Sequence, residues 1–93
     1  MRSIRFSKDS LKFAKGLETK QARQVYERAI ALTQDPLPQA ATELRGYKGC
    51  LRLRVGNFRI VYRTPPESIE ILIIDNRGDD EVYRHLDRIS LAS

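Results

Sequence analysis

Two short runs in the middle of the chain alternate between polar and apolar residues. Cys50-Leu51-Arg52-Leu53-Arg54-Val55 is followed by Gly56-Asn57 and then by Phe58-Arg59-Ile60-Val61-Tyr62-Arg63. A period of two is the mark of a half-buried strand. Gly-Asn between two such runs offers a two-residue hairpin turn, because glycine takes positive φ without steric cost and asparagine tolerates it. A two-residue turn fixes the register: Val55 faces Phe58 and Arg54 faces Arg59. Arg52, Arg54, Arg59 and Arg63 then share one face, and Leu51, Leu53, Val55, Phe58, Ile60 and Tyr62 share the other. Few folds accommodate such a hairpin without a sheet around it and a helical layer against its apolar side.

The polar face is uniformly basic. From Leu44 to Pro66 the chain has six basic residues and no acidic one: Arg45, Lys48, Arg52, Arg54, Arg59 and Arg63. Like charges directly opposite each other destabilise a sheet. With no acid nearby, this clustering points to a polyanion as the partner. The formal net charge of +5 agrees and leaves RNA, DNA and an acidic protein all open. Twelve of the 17 basic residues are arginine, whose planar fork suits bidentate phosphate contacts. As a rival reading, Arg52 and Arg54 are the solvated face of an edge hairpin.

The rest of the composition narrows the class. One cysteine, Cys50, excludes an internal disulfide, and one cysteine with one histidine does not make a zinc site of the usual kind. No metal and no cofactor are expected. Cys50 reads as a small hydrophobe, and His85 as a surface or helix-packing residue. No apolar run approaches a membrane span, and the N-terminus lacks a signal-peptide core. The expectation is a cytoplasmic protein without a membrane partner, forming a single domain over residues 1–93.

Ser3 to Phe6 reads as a first strand and Ser7 as the N-cap of a helix over residues 8–16, with Gly16 suited to its end. A second helix over about 19–34 carries Ala22, Val25, Tyr26, Ala29 and Leu32 or Thr33 at helical spacing, and Pro36 and Pro38 end it. Glu43 to Tyr47 reads as a short strand or edge segment. Pro65 to Ser68 is a turn. Ile69 to Ile74 is nearly all apolar, as a central strand covered on both faces would be. Asp79 can cap a final helix over about 80–90. The predicted class is α+β: an N-terminal strand, a helical hairpin, an antiparallel sheet of three to four strands and a C-terminal helix. The hairpin's apolar stripe covers one face of the sheet, and the last helix lies near the other.

In this order, Leu44-Arg45-Gly46, Cys50 to Val55, Phe58 to Tyr62, Arg77 and Glu81-Val82-Tyr83 resemble the RelE-type toxins of the RelE/ParE superfamily. The resemblance spans essentially the whole chain. It implies the RelE-like microbial ribonuclease fold and the toxin of a type II toxin–antitoxin pair. Such a toxin enters the 30S A site of the ribosome and cuts mRNA there without a metal, by attack of the RNA 2′-hydroxyl on its own phosphate. It implies a RelB-like antitoxin as a partner. By the same resemblance Arg52 and Arg54 lie against the scissile phosphate, and Arg59 opens the next strand. Arg77 serves the leaving-group side, Tyr83 stacks on or orients the target nucleotide, and Arg45 contacts RNA. Lys48 and Arg63 extend the RNA-binding set. The chain departs from the family pattern at two places. Some members carry a lysine, cast as the general base, where Arg52 stands. Many carry a histidine where Asn76 stands. Tyr83 also lies close to the Val82-Leu86-Ile89 stripe, where it would be packing. Two other functions stay open: a ParE-type toxin that poisons gyrase without nuclease activity, and a non-catalytic nucleic-acid-binding module.

Overall fold

The hairpin forms as its alternation dictates. In the computed structural model, which describes residues 2–76, the two runs are strands β3 (Cys50–Val55) and β4 (Phe58–Arg63). Val55 pairs with Phe58 and Arg54 with Arg59. Within the turn Gly56 alone takes positive φ, at 60°, and among the described residues none other than glycine does so. The turn thus uses its first central residue for the left-handed conformation, as a type II′ hairpin turn requires.

Before the hairpin come β1 (Ser3–Phe6), α1 (Lys8–Lys15), α2 (Thr19–Ala31) and a two-residue β2 (Thr42–Glu43); after it comes β5 (Ser68–Asp75). The sheet has five strands in the order β1-β5-β4-β3-β2. The expected antiparallel strands are there, and the N-terminal strand adds a parallel edge, with Ile4 opposite Ile69 and Phe6 opposite Ile71. β5 is central, as its apolar run implies. The final helix expected over 80–90 lies outside the described residues.

Ser7 holds the first turn together. Its hydroxyl accepts the Ser10 N–H at 3.1 Å, the N-cap bond expected from sequence, and donates to the Leu72 carbonyl at 2.7 Å. The backbone N–H of Ser7 also donates to the Ile71 carbonyl at 2.9 Å. One residue therefore caps α1 and ties it to β5. Gly16 ends α1 in the right-handed region at φ −83°, so the position does not depend on glycine's freedom.

The main core lies between the helical hairpin and one face of the sheet. Val25, Ala29 and Leu32 from α2 and its end pack on Leu51, Leu53, Val55, Phe58, Ile60, Tyr62, Ile69, Ile71 and Ile74. Edge-to-face ring pairs join Phe6 to Tyr26 and Phe13 to Phe58. The Tyr62 hydroxyl, fully buried, donates to the Pro36 carbonyl at 2.9 Å, which fastens the loop after α2 to the sheet.

A second, smaller core sits on the opposite face: Leu44, Cys50, Val61 and Ile73, with Tyr47 and Leu72 against them. β5 serves both cores through a bulge. Val61 pairs with Ile73 and Tyr62 with Ile71, which leaves Leu72 as the extra residue. Ile69, Ile71 and Ile74 therefore meet the helices while Ile73 faces away.

Candidate nucleic-acid interface

The face opposite the helices is a grid of three rows across β3, β4 and β5. The first row is Arg54, Arg59 and Asp75; the second is Arg52, Val61 and Ile73; the third is Cys50, Arg63 and Glu70. Sequence alternation placed the four arginines on one side, and the register confirms it. Arg52, Arg54 and Arg59 occupy adjoining corners of the grid, whereas Arg63 stands at the far end, beyond the buried pair Val61 and Ile73.

The face is not free of acid, and this corrects the reading from sequence. β5 places Asp75 opposite Arg59 and Glu70 opposite Arg63. Arg63 donates to the Glu70 carboxylate at 2.7 Å in an ion pair that is half exposed on the arginine side. Glu70 also faces Arg5 across β1. Like-charge repulsion is thereby relieved at the edge of the grid. On the β3 side Arg54 is exposed, and its Nε donates to the Gly56 carbonyl at 3.3 Å.

Arg45 and Lys48, both exposed, lie on the loop that joins β2 to β3, at the Cys50 end of β3 where Arg63 also stands. The loop is two tight turns in succession. The Tyr47 N–H donates to the Leu44 carbonyl at 3.3 Å and the Cys50 N–H to the Tyr47 carbonyl at 3.0 Å. Gly46 and Gly49 supply the positive φ values, 82° and 84°, that the third position of each turn needs. Glu43 to Tyr47, expected as strand, is therefore mostly turn: only Thr42 and Glu43 pair with β3.

Cys50 is buried, and burial pushes its thiol above the ordinary range, with Arg63 acting in the opposite sense. That suits packing, as read from sequence. Among the described residues no cluster of His, Cys, Asp and Glu could hold a metal, and no helix is long and apolar enough to cross a membrane. Arg77, Tyr83 and His85 lie outside the described residues, so the described site is the β3–β4 corner, with Arg45 and Lys48 on the same sheet's β2–β3 loop at the other end of β3.

Known proteins share this architecture. A doubly substituted RelE toxin of E. coli in the free state is similar over 95% of this chain and 97% of its own, with a TM-score of 0.77 and 20% identity. The RelBE2 toxin–antitoxin complex of Mycobacterium tuberculosis contains a chain that is 26% identical, with a TM-score of 0.70 over 82% of this chain and 98% of that one. The chromosomal ParDE system of P. aeruginosa contributes a match at 18% identity and a TM-score of 0.70, over 84% of this chain and 98% of that one. No curated protein matches by sequence. The family model for the ParE toxin of the type II toxin–antitoxin system parDE matches residues 4–81, which takes in both helices and every strand described above but for Ser3 of β1. The superfamily is the one that the ordered motifs resembled, and by that match the chain belongs to the ParE toxin family, as a type II toxin of the RelE/ParE superfamily.

Proposed function

We propose that this toxin is a metal-independent endoribonuclease that cuts mRNA in the ribosomal A site and is neutralised by a cognate, RelB-like antitoxin. The observation that carries the reading is the corner of Arg52, Arg54 and Arg59, held by register on adjoining strands over an apolar floor. In the reaction the 2′-oxygen attacks the adjacent phosphorus and the bond to the 5′-oxygen of the next nucleotide breaks. The 2′-hydroxyl gives up its proton, and the departing 5′-oxygen takes one up. The products are a 2′,3′-cyclic phosphate and a 5′-hydroxyl. Negative charge builds on the phosphorane, and preorganised guanidinium groups stabilise it. A guanidinium does not release its proton in the physiological range, so Arg52 acts in this scheme by charge and not as a base.

Arg45 and Lys48 continue the basic track along the loop for the flanking phosphates. Arg63 is engaged by Glu70, which offsets part of its charge. Arg77 and Tyr83 keep the leaving-group and stacking roles implied by the family resemblance. Action on ribosome-bound mRNA would place the protein in the cytoplasm. The antitoxin follows from neighbours solved as toxin–antitoxin complexes.

The second reading, gyrase poisoning without nuclease activity, is favoured by the ParE name of the matching family and by the ParDE neighbour. Primer extension on a reporter mRNA in a translation extract separates the two. Codon-spaced cuts on ribosome-bound mRNA, absent from free mRNA, are expected. Intact mRNA together with trapped gyrase–DNA cleavage complexes would overturn the ribonuclease reading.

A further inference from the structure

We propose that Tyr47 is a stacking platform for a nucleobase on the arginine face, at the end of β3 away from Arg54 and Arg59, and a second recognition point distinct from the aromatic role assigned to Tyr83. The proposal rests on the reading of this face as an RNA site.

Tyr47 is half-buried against the cluster of Leu44, Cys50, Val61 and Ile73, the apolar centre of the arginine face. The other aromatic residues of the described part serve the helix side: Phe6 with Tyr26, Phe13 with Phe58, and Tyr62 in the main core. Its backbone is fixed at both its N–H and its carbonyl by the consecutive turns through Gly46 and Gly49. A ring so anchored loses little further freedom on binding. Arg45 and Lys48, both exposed, flank it in sequence. Cations that track the backbone around a flat aromatic face are the chemistry by which single strands are held.

The test uses the full chain and programmed ribosomes whose A-site codon is 2′-deoxy-substituted, so that it binds without being cut. Each codon base in turn is replaced by an abasic unit, and binding is compared for wild type, Tyr47→Phe and Tyr47→Leu. Leucine keeps an apolar side chain on the cluster and removes the flat face, and an unchanged melting temperature shows that the fold is kept. One abasic position should weaken wild-type binding roughly five- to hundred-fold. Tyr47→Phe should keep that sensitivity. Tyr47→Leu should bind intact and abasic codons alike, at the weaker level. Equal abasic sensitivity in wild type and Tyr47→Leu would overturn the platform and leave the RNA reading standing. Wild-type protein that neither binds nor cuts on ribosomes would overturn both.

Discussion

Arg54 is exposed at the open end of the hairpin, and Arg63 does not share its situation. Salt dependence should separate them. Removing one phosphate contact from a single strand lowers the slope of log affinity against log salt by about 0.7. Arg54→Ala should show that drop in a salt titration of RNA binding. Arg63→Ala should leave the slope nearly unchanged, because its guanidinium is 2.7 Å from Glu70. Glu70→Gln should steepen the slope by releasing Arg63. Its effect on stability should stay under about 1 kcal/mol, since the pair is partly exposed. Tyr62 is a different kind of residue. Burial first, and Asp35 second, push its hydroxyl up to about 12. Below pH about 10 the folded and unfolded chains both keep the phenolic proton; between about 10 and 12 mainly the unfolded chain releases it. The Tyr62 contribution is therefore intact below that window and lost as pH rises through it. Tyr62→Phe should cost about 1 kcal/mol at neutral pH, with the Pro36 carbonyl left without its donor, and should flatten the alkaline decline in urea unfolding.

At the scale of elements, the short connections do more than their length suggests. Ser7 both caps α1 and donates to β5. Ser7→Ala should cost about 1 kcal/mol or somewhat more, and Ser7→Asp, which can accept from Ser10 but cannot donate to Leu72, should recover only part of it. Two glycines should behave oppositely. Gly56 sits at φ 60°, so Gly56→Ala should destabilise by about 1–2 kcal/mol. Gly16 is right-handed and an added Cβ would meet only the Phe13 carbonyl at 3.5 Å, so Gly16→Ala should stabilise by about 0.4–1 kcal/mol. Chemical denaturation reads all four variants. The hairpin, the capping serine and the apolar stripe of α2 were legible in the sequence because each is a local pattern. The pairing of β1 with β5 spans more than sixty residues, and nothing local specifies it. The acids on the arginine face were hidden for a related reason. Plain alternation along β5 puts Glu70 and Asp75 on opposite sides, and only the bulge at Leu72 brings both to the arginines. The strand expected over Glu43 to Tyr47 gave way to turns because two glycines three apart favour successive reversals over extension.

Among the described residues the sheet has a thick side and a thin side. The helical hairpin fills one face of the sheet, while on the other a handful of apolar residues supports a charged rim. Neighbours in sequence therefore answer to different demands. Ile60 and Val61 are both fully buried, on opposite faces. Ile60→Val should cost about 0.5–1.5 kcal/mol and leave RNA affinity alone. Val61→Ala should weaken RNA affinity along with stability, because it hollows the floor between the arginines. Unfolding curves paired with binding curves would show the split. The division of labour also explains what the sequence conveyed of the site. Alternation located the arginines, whereas the floor beneath them depends on chain segments that meet only in the folded state.

The extra residue in β5 works as a phase shift. Upstream of Leu72 the odd-numbered side chains belong to the helices, and downstream the even-numbered ones do. A strand with this construction can be shortened by one without turning over. Deleting Leu72 would restore strict alternation and keep every face, with Ile71 and Ile74 toward the helices and Ile73 and Asp75 among the arginines. What the deletion removes is the kink of the bulge and the share of Leu72 in the smaller cluster.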